Sequence, residues 1–175
     1  AGASADTMIW AMIETPTAMF NVRSIAAHPR VAVLVMGTND LAKELRSPIV
    51  AGRHPLVAHL ATALLAAREA GKVILDGVYN DVKNPDGFAA ECQQGMEMGF
   101  DGKTLIHPSQ VDPANDMWAP SADEVEHAER VIAAFDEAVA AGKGVVTVDG
   151  RMIENLHVDN ARRVLATAAA ITDLQ

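Results

Sequence analysis

The sequence has a single cysteine and no apolar stretch long enough to cross a membrane. Because Cys92 is the only cysteine among 175 residues, no disulfide can form within the chain, and a reducing compartment is the expected location. A membrane-spanning helix needs about 18 consecutive apolar residues, and no run reaches that length. We therefore expect a cytoplasmic protein that does not associate with membranes.

Basic residues are also scarce. The chain has 14 Lys and Arg residues against 23 Asp and Glu residues, which gives a formal net charge of −9. Since proteins bind nucleic acid largely by neutralising phosphates with Lys and Arg, this balance argues against a nucleic-acid-binding function. The chain is 50% hydrophobic with a mean hydropathy of +0.11, which is typical of a compact domain with a large aliphatic core.

Short apolar runs alternate with longer amphipathic segments. The apolar runs are rich in Ile, Val, Leu and Met, as expected for strands buried on both faces of a parallel sheet. These predicted strands are 8–13, 31–36, 72–76 and 103–106. Apolar residues at three- and four-residue spacing predict helices at 17–27, 40–46, 55–70 and 86–98. The alternation predicts an α/β fold with four parallel strands.

The remaining residues predict a long helix and a carboxyl-terminal extension. Ser121 and Glu124 have the spacing of a capping box, which predicts the start of a helix that ends near residue 140. In the tail, Asp149 and Gly150 predict a hairpin turn, and a further helix is predicted at about 158–171. We therefore divide the chain into a domain at 1–140 and an extension at 141–175.

Acidic residues follow the first two predicted strands. Glu14 comes directly after the first apolar run, and Asp40 follows the second. The carboxyl ends of parallel strands share one edge of a sheet or barrel, and this edge is where such proteins build their active sites. The pattern indicates a metal site, but acids at these positions could also serve only to cap the helices that follow.

Four strand–helix units are half of an eight-stranded barrel. A (β/α)₈ barrel typically takes roughly 250 residues, and half of one would expose an apolar interior and two strand edges. The sequence also starts without an initiator Met. We therefore expect the chain to be the carboxyl-terminal part of a longer polypeptide, preceded by a segment of about 110 residues.

Several segments together resemble the citrate lyase beta-subunit-like, or malyl-CoA lyase-like, enzymes of the aldolase/citrate lyase superfamily. They are MIETP at 12–16, MGTNDL at 36–41, ILDGVYND at 74–81, GFDGKTLIHPSQ at 99–110 and DGRMI at 149–153. The resemblance extends over essentially the whole chain. It implies a TIM (β/α)₈ barrel of which this chain forms about the last four βα units, followed by a carboxyl-terminal extension that packs on a neighbouring subunit.

The resemblance implies that Glu14 and Asp40 bind Mg²⁺, or Mn²⁺ in its place. Mg²⁺ prefers hard oxygen ligands, and two carboxylates leave coordination positions for water and for a bound 2-hydroxy or 2-oxo acid. The implied activity is that of a carbon–carbon lyase. It would cleave a 3-hydroxyacyl-CoA such as malyl-CoA or citramalyl-CoA into an acyl-CoA and a 2-oxo acid, or catalyse the reverse condensation.

Other roles are implied by the same resemblance. In the family, the extension reaches the active site of a neighbouring subunit and presents an Asp, whose position Glu154 matches. Glu154 is therefore expected to act in proton transfer or water activation within a homo-oligomer, a trimer or hexamer. Asp76, Asn80 and His107 are expected to line the pocket for the coenzyme A thioester. The family's substrate-binding Arg has no counterpart here, so this chain alone is expected to be inactive.

Alternative interpretations remain open. The enzyme could be a class II aldolase acting on free pyruvate. It could be an acyl-CoA thioesterase, since the longer side chain of Glu154 moves its carboxylate by about one methylene relative to Asp. The chain could also be a non-catalytic barrel subunit. At single positions, Glu154 could be a solvated acid of the tail, and His107 a hydrogen-bonded structural residue.

Overall fold

The computed structural model describes residues 2–4, 6–142 and 146–174. The chain divides into two compact units, at 1–118 and 119–175, and each is described by itself. This division precedes the helix that the sequence analysis placed at the end of the first domain. The domain limits of 1–140 and 141–175 therefore stay a prediction.

The first unit is built on a parallel sheet. Among its described residues, the strands in side-by-side order are β1 (Ile9–Ile13), β2 (Val31–Met36), β3 (Val73–Asp76) and β4 (Gly102–Lys103). Every neighbouring pair is parallel because a helical connection returns the chain to the same end of the sheet before the next strand begins. The carboxyl ends of the strands therefore lie along one edge.

Helices connect or follow these strands. They are α1 (Pro16–Ala26), α2 (Thr38–Leu45), α3 (Val57–Glu69), α4 (Pro85–Met98) and α5 (Val111–Trp118). At the starts of α1 and α4, a proline occupies the first turn, where an N–H is not needed, and the side chains of Thr15 and Asn84 accept backbone hydrogen bonds. None of the described helices is both long and apolar enough to cross a membrane.

The core of this unit lies between the sheet and its helices. Ile13, Leu34 and Ile74 come from three adjacent strands and are fully buried, as are Leu41 of α2 and Leu60 of α3. Full burial of one such side chain contributes about 1.5–3 kcal/mol relative to leaving it exposed. The apolar side chains hold the helices against the sheet, so polar side chains at the strand ends are not needed for this packing.

The α/β fold with a parallel sheet is confirmed, and its first three strands match the predicted ones within one residue at each end. The fourth strand was predicted at 103–106 but ends at Lys103. Thr104 still bonds through its N–H and its hydroxyl to the carbonyl of Asp76, and the chain then turns into a short 3₁₀ helix at Pro108–Gln110. The 3₁₀ turn at Ala51–Arg53 and helix α5 were not predicted. That this sheet is half of a barrel stays a prediction.

The second unit pairs two helices with a hairpin. Its elements are α6 (Ala122–Ala140), β5 (Val146–Val148), β6 (Arg151–Ile153) and α7 (Asn155–Thr172). The predicted turn is confirmed, because Asp149 and Gly150 both have positive φ, at 50° and 76°, as a two-residue hairpin turn requires. Val131, Val148 and Val158 are buried in the small core that α6, β5 and α7 share. Helix α7 starts three residues earlier than predicted.

The capping box at the start of α6 is confirmed and yields a stability prediction. The Ser121 N–H and hydroxyl both donate to the Glu124 carboxylate at 2.8 Å, and the Glu124 N–H donates to the Ser121 hydroxyl. Replacing Ser121 with Ala should lower the free energy of unfolding by about 1 kcal/mol, because backbone donors lose their acceptor. Urea unfolding followed by circular dichroism measures this loss, with Ser24→Ala on the exposed side of α1 as the matched control.

The same capping box determines in which direction its contribution to stability changes with pH. Hydrogen bonds from the Ser121 backbone and side chain lower the pKa of Glu124. The Glu124 carboxylate therefore contributes fully to the free energy of unfolding at pH values above its unfolded-state pKa. This contribution is lost as the pH falls through its lower folded-state pKa. The loss of unfolding free energy caused by Ser121→Ala should therefore be smaller in that acidic pH range. An equal loss at neutral and acidic pH would contradict the role of Glu124.

Candidate metal and active site

Glu14 lies at the carboxyl end of β1, beside Gly37, the residue that precedes α2. Ile13 pairs with Met36 at the ends of β1 and β2, and the N–H of Gly37 donates to the carbonyl of Ile13 at 3.0 Å. A β-carbon at Gly37 would overlap the side chain of Glu14, including its carboxylate. Gly37 therefore has to be glycine for Glu14 to cross the end of β2 in this position.

Asp40 lies in the first turn of α2, three residues after Gly37. Its side chain is exposed and that of Glu14 is half-buried. Among the described residues, neither carboxylate makes a hydrogen bond or an ion pair. Glu14 and Asp40 thus have no protein partner in the described part of the chain, and the positive end of the α2 dipole favours negative charge at its first turn.

The two carboxylates are not the caps of the helices that follow them. Thr15 caps α1 with its hydroxyl, and Gly37 stands at the cap position of α2. The interpretation of Glu14 and Asp40 as simple capping residues therefore does not describe this structure. Their assignment as metal ligands stays a prediction, which the geometry allows.

The donor set fits Mg²⁺ rather than a metal that needs many protein ligands. No group of three or more His, Cys, Asp and Glu side chains that could hold a metal ion is found among the described residues. Mg²⁺ is commonly held by one or two carboxylates and keeps several waters or substrate oxygens in its octahedral shell. Glu14 and Asp40 supply hard oxygen donors of that kind and leave the other positions to water and substrate.

Asp76, predicted as a pocket residue, is instead the centre of a buried ionic cluster formed by Arg53, Asp76, Glu91 and Lys103. Asp76 is 0% exposed and Arg53 is 3% exposed. Arg53 Nη1 lies 2.6 and 2.8 Å from the two oxygens of Asp76, and Lys103 Nζ lies 3.1 Å from Asp76 and 2.8 Å from Glu91. Two cations balance two anions. Contact between Asp76 and a ligand stays a prediction, and its carboxylate is already fully engaged.

Arg53 is brought into the cluster by an unusual turn. Gly52 and Arg53 both have positive φ, at 74° and 49°, which is costly for a residue with a side chain. Gln94 of α4 accepts from Arg53 Nε at 2.9 Å and donates to the carbonyl of Gly52 at 2.7 Å. Sequence reasoning missed this cluster. Its signal was Lys103, a charged residue inside a predicted buried strand, because such a charge requires an opposite partner.

The buried ionic cluster is also connected, through Gly77, to the start of α2, the helix that carries Asp40. Asp76 Oδ1 accepts the N–H of Gly77 at 2.7 Å. A β-carbon at Gly77 would overlap the side chain of Thr38, the first residue of α2. Asp76 thus fixes the backbone against which the start of α2 packs, although it does not lie beside the predicted metal ligands.

Asn80 lies in the loop after β3 and makes a reciprocal pair with Asn39. The Asn39 amide donates to Asn80 Oδ1 at 2.9 Å, and the Asn80 amide donates to Asn39 Oδ1 at 2.7 Å. Both residues line a cleft of about 500 Å³ between the segment 48–53, the loop after β3 and α4. Asp76 is not among its lining residues. A role for Asn80 in binding the coenzyme A thioester stays a prediction.

The other predicted site residues lie apart from this edge or belong to the second unit. His107 is exposed and caps the 3₁₀ helix, since its Nδ1 accepts the N–H of Ser109 at 3.2 Å. Glu154 is exposed at the start of α7, where its N–H donates to His157 Nδ1 at 3.0 Å. The catalytic role of Glu154 stays a prediction. Cys92 is buried, and burial raises the pKa of its thiol to about 11, so it is a poor nucleophile.

Comparison with known proteins places the chain in a family. The family model described as HpcH/HpaI aldolase/citrate lyase matches residues 1–108. The chain belongs to this family. It is 55% identical over 166 residues to a (3S)-malyl-CoA thioesterase of Cereibacter sphaeroides, a match that covers 95% of this chain and 58% of the relative. It is 37% identical over 163 residues to citrate lyase subunit beta of Escherichia coli, covering 93% of this chain and 54% of the relative.

Solved structures show the same similarity. The protein CitE from Mycobacterium tuberculosis, in complex with magnesium, acetoacetate and coenzyme A, has a TM-score of 0.77 and 27% identity; the match covers 94% of this chain and 62% of that one. RipC from Yersinia pestis has a TM-score of 0.66 and 30% identity, covering 70% of this chain and 56% of that one. The chain therefore spans little more than half the length of the relatives that it matches.

The buried ionic cluster yields a prediction about stability. Replacing Arg53 with Ala should cost about 3–5 kcal/mol of unfolding free energy, because it leaves excess negative charge buried without its partner. Arg23→Ala is the matched control. Arg23 donates to Glu69 through Nε at 2.8 Å and Nη2 at 2.6 Å, but its side chain is 80% exposed, so a much smaller loss is expected.

Urea unfolding of both variants measures the two losses. Arg53→Lys is a milder companion that keeps the charge and loses the Nε donor that bonds to Gln94. Its stability should lie between those of the wild type and Arg53→Ala. Similar small losses for Arg53→Ala and Arg23→Ala would show that the buried cluster is not a major source of stability.

Proposed function

We propose that this chain provides the magnesium-binding edge of an enzyme that acts on a 3-hydroxyacyl-CoA thioester of the malyl-CoA type. The observation that carries the proposal is a pair of carboxylates, Glu14 directly after β1 and Asp40 in the first turn of the helix that follows β2, neither of which has a partner among the described residues. A magnesium ion held there would supply Lewis acidity to an oxygen of the bound substrate. Because the chain spans 58% of a relative's length, the activity proposed is that of the complete protein.

The residues around the two carboxylates support this assignment. Gly37 leaves the space in which Glu14 crosses the end of β2, and the first turn of α2 carries Asp40. Both acids are hard oxygen donors, which suit Mg²⁺, and neither needs to break a protein contact to bind it. The relative CitE was crystallised with magnesium, acetoacetate and coenzyme A together, which is consistent with the proposed ligand class.

We propose hydrolysis of the thioester as the reaction. Water would add to the thioester carbonyl, the carbon–sulfur bond would break, and malyl-CoA would yield malate and coenzyme A. The 55% identity to a (3S)-malyl-CoA thioesterase favours this reaction over the others considered from the sequence. A general base is needed to take a proton from the attacking water, and an exposed carboxylate is a suitable group.

Carbon–carbon cleavage is the second candidate, and it is the activity expected from the sequence. The bond between the hydroxyl-bearing carbon and the carbon next to the thioester would break, so malyl-CoA would yield glyoxylate and acetyl-CoA. The 37% identity to citrate lyase subunit beta favours this candidate. Both reactions would use the same proposed magnesium site at Glu14 and Asp40, because each requires a substrate oxygen to be polarised while the coenzyme A thioester is held.

Product analysis tests the proposal in the complete protein. With (3S)-malyl-CoA and Mg²⁺ we expect malate and free coenzyme A, separated and quantified by liquid chromatography and mass spectrometry. Glu14→Gln and Asp40→Asn should abolish turnover, because each removes one charged metal ligand at nearly constant size. The matched control is Asp86→Asn, which alters the exposed acid in the first turn of α4 and should leave turnover unchanged.

Different outcomes separate the candidates. Acetyl-CoA and glyoxylate as the main products would replace hydrolysis with carbon–carbon cleavage at the same site. Near-normal activity of Glu14→Gln or Asp40→Asn at limiting Mg²⁺ would refute the metal assignment itself.

Glu154 is proposed as the carboxylate that activates water or transfers a proton. It is exposed between β6 and α7 in the second unit, so its side chain is open to solvent and to a neighbouring copy of the protein. If an extension from one subunit serves the site of another, the active protein is a homo-oligomer. The proposal rests on the residue type and its exposure, together with the resemblance stated above.

Replacing Glu154 with Gln should slow turnover by roughly 10²-fold or more, because the amide cannot accept the proton. Steady-state rates with (3S)-malyl-CoA measure this effect. Mg²⁺ binding at Glu14 and Asp40 should not change. Glu129→Gln, at an exposed position of α6, is the matched control. Unchanged turnover in Glu154→Gln would return this residue to a solvated acid of the tail.

A further inference from the structure

Asn39 and Asn80 form a link between two strand ends that the proposed function does not explain. The residues are 41 positions apart in the sequence, and each amide both donates to and accepts from the other, at 2.9 and 2.7 Å. Asn39 lies in the first turn of α2, and Asn80 lies in the loop after β3. The pair therefore ties the start of α2 to the neighbouring loop.

The first turn of α2 depends on such outside contacts. The helix has only eight residues, its cap position is Gly37, and no side chain caps it. A helix start without a cap leaves backbone donors unpaired and is less firmly held. Besides the amide pair, the close approach of Thr38 to Gly77 holds this turn against the end of β3. Both contacts attach the same turn to the same loop.

Asp40 directly follows Asn39 in this turn. Its side chain is exposed and has no partner among the described residues, so no protein contact of its own orients the carboxylate. The direction of its Cα–Cβ bond is set by the backbone of the turn. Whatever fixes that backbone therefore fixes where the carboxylate is presented.

We propose that Asn39 and Asn80 are positioning residues that hold the first turn of α2, and through it Asp40, in the geometry for binding a divalent cation. This inference rests on the proposed metal site at Glu14 and Asp40. It also assigns to Asn80 a role other than contact with the coenzyme A thioester. In the structure the Asn80 amide uses one of its two N–H donors and one of its two acceptor lone pairs within the pair.

The test uses Mn²⁺ as a spectroscopic probe in the complete protein, so that metal binding is measured without turnover. The variants are Asn39→Ala, Asn80→Ala and the double variant. Each single variant should raise the dissociation constant for Mn²⁺ by about tenfold, the low end of the range for groups that support a metal ligand. The double variant should bind no more weakly than either single one, because each substitution already breaks the pair.

Kinetics provide a second readout. The Mg²⁺ concentration needed for half-maximal turnover should rise in the single variants, whereas the rate at saturating Mg²⁺ should stay near that of the wild type. Asn84→Ala is the matched control, since Asn84 lies just before α4 and its side chain accepts the N–H of Gly87 in that helix. It should lower stability without changing Mn²⁺ affinity. If an alanine variant does not fold, Asn39→Ser or Asn80→Ser is measured in its place.

Three outcomes would overturn the inference. Wild-type Mn²⁺ affinity in Asn39→Ala and Asn80→Ala, with binding lost in Asp40→Asn, would leave the metal site intact and remove the role of the pair. A raised KM for the acyl-CoA in Asn80→Ala alone, with Mn²⁺ affinity unchanged, would make Asn80 a substrate-binding residue. Full Mn²⁺ affinity in Asp40→Asn, or no binding by the wild type, would overturn the proposed metal site together with this inference.

Discussion

The carboxylate of Asp76 is the group on which the arrangement of the strand ends depends. It accepts from Arg53, from Lys103 and from the N–H of Gly77, and it is completely buried. These three bonds join the segment 48–53, strand β4 and the end of β3 at one point. A buried carboxylate is tolerated only when it is paired and hydrogen-bonded, so each of these contacts is needed for the others to form.

A series of contacts connects Asp76 with the two proposed metal ligands, Glu14 and Asp40. Asp76 fixes Gly77, Gly77 packs against Thr38, and Thr38 opens the helix that carries Asp40. Glu14 reaches the same place from the other side by crossing Gly37. The predicted metal ligands need no partners of their own, since glycines that permit close approach and a buried ionic cluster support the backbone beneath them. A charge-balanced buried cluster beneath carboxylates that have no partner among the described residues is an arrangement suited to a cation site.

The family explains why one edge can be proposed for two reactions. Proteins named for thioester hydrolysis and for citrate cleavage are both similar to this chain, at 55% and 37% identity. A magnesium ion held by Glu14 and Asp40, as proposed, would polarise a substrate oxygen in either reaction, and it would not by itself select the bond that breaks. That choice depends on the base that faces the substrate, and Glu154 is the residue proposed for it. The present chain spans 58% of the length of one relative and 54% of another.

Sequence reasoning was most successful where the signal was local. The run at 31–36 is entirely apolar and that at 72–76 has an apolar centre, and the capping box of Ser121 and the turn at Asp149 have fixed spacings, so these elements were predicted correctly. It placed Glu14 and Asp40 at strand ends because a buried strand has to end where polar residues begin. The fourth strand was predicted too long because Thr104 to Ile106 are apolar enough for a strand, although only Gly102 and Lys103 pair with β3.

The amino-acid sequence by itself determined the α/β class, the place of Glu14 directly after β1, and the family, because each follows from residue types at short spacing. Only the tertiary structure decided what Asp76 and Asn80 do. Both were predicted to line a pocket because they end or follow a strand. In the structure Asp76 is enclosed by Arg53 and Lys103, and Asn80 lines the cleft while it is paired with Asn39. Their partners lie between 23 and 41 residues away in the sequence. Nothing in the local pattern specifies such partners, because they are brought together only when the parallel strands align their carboxyl ends.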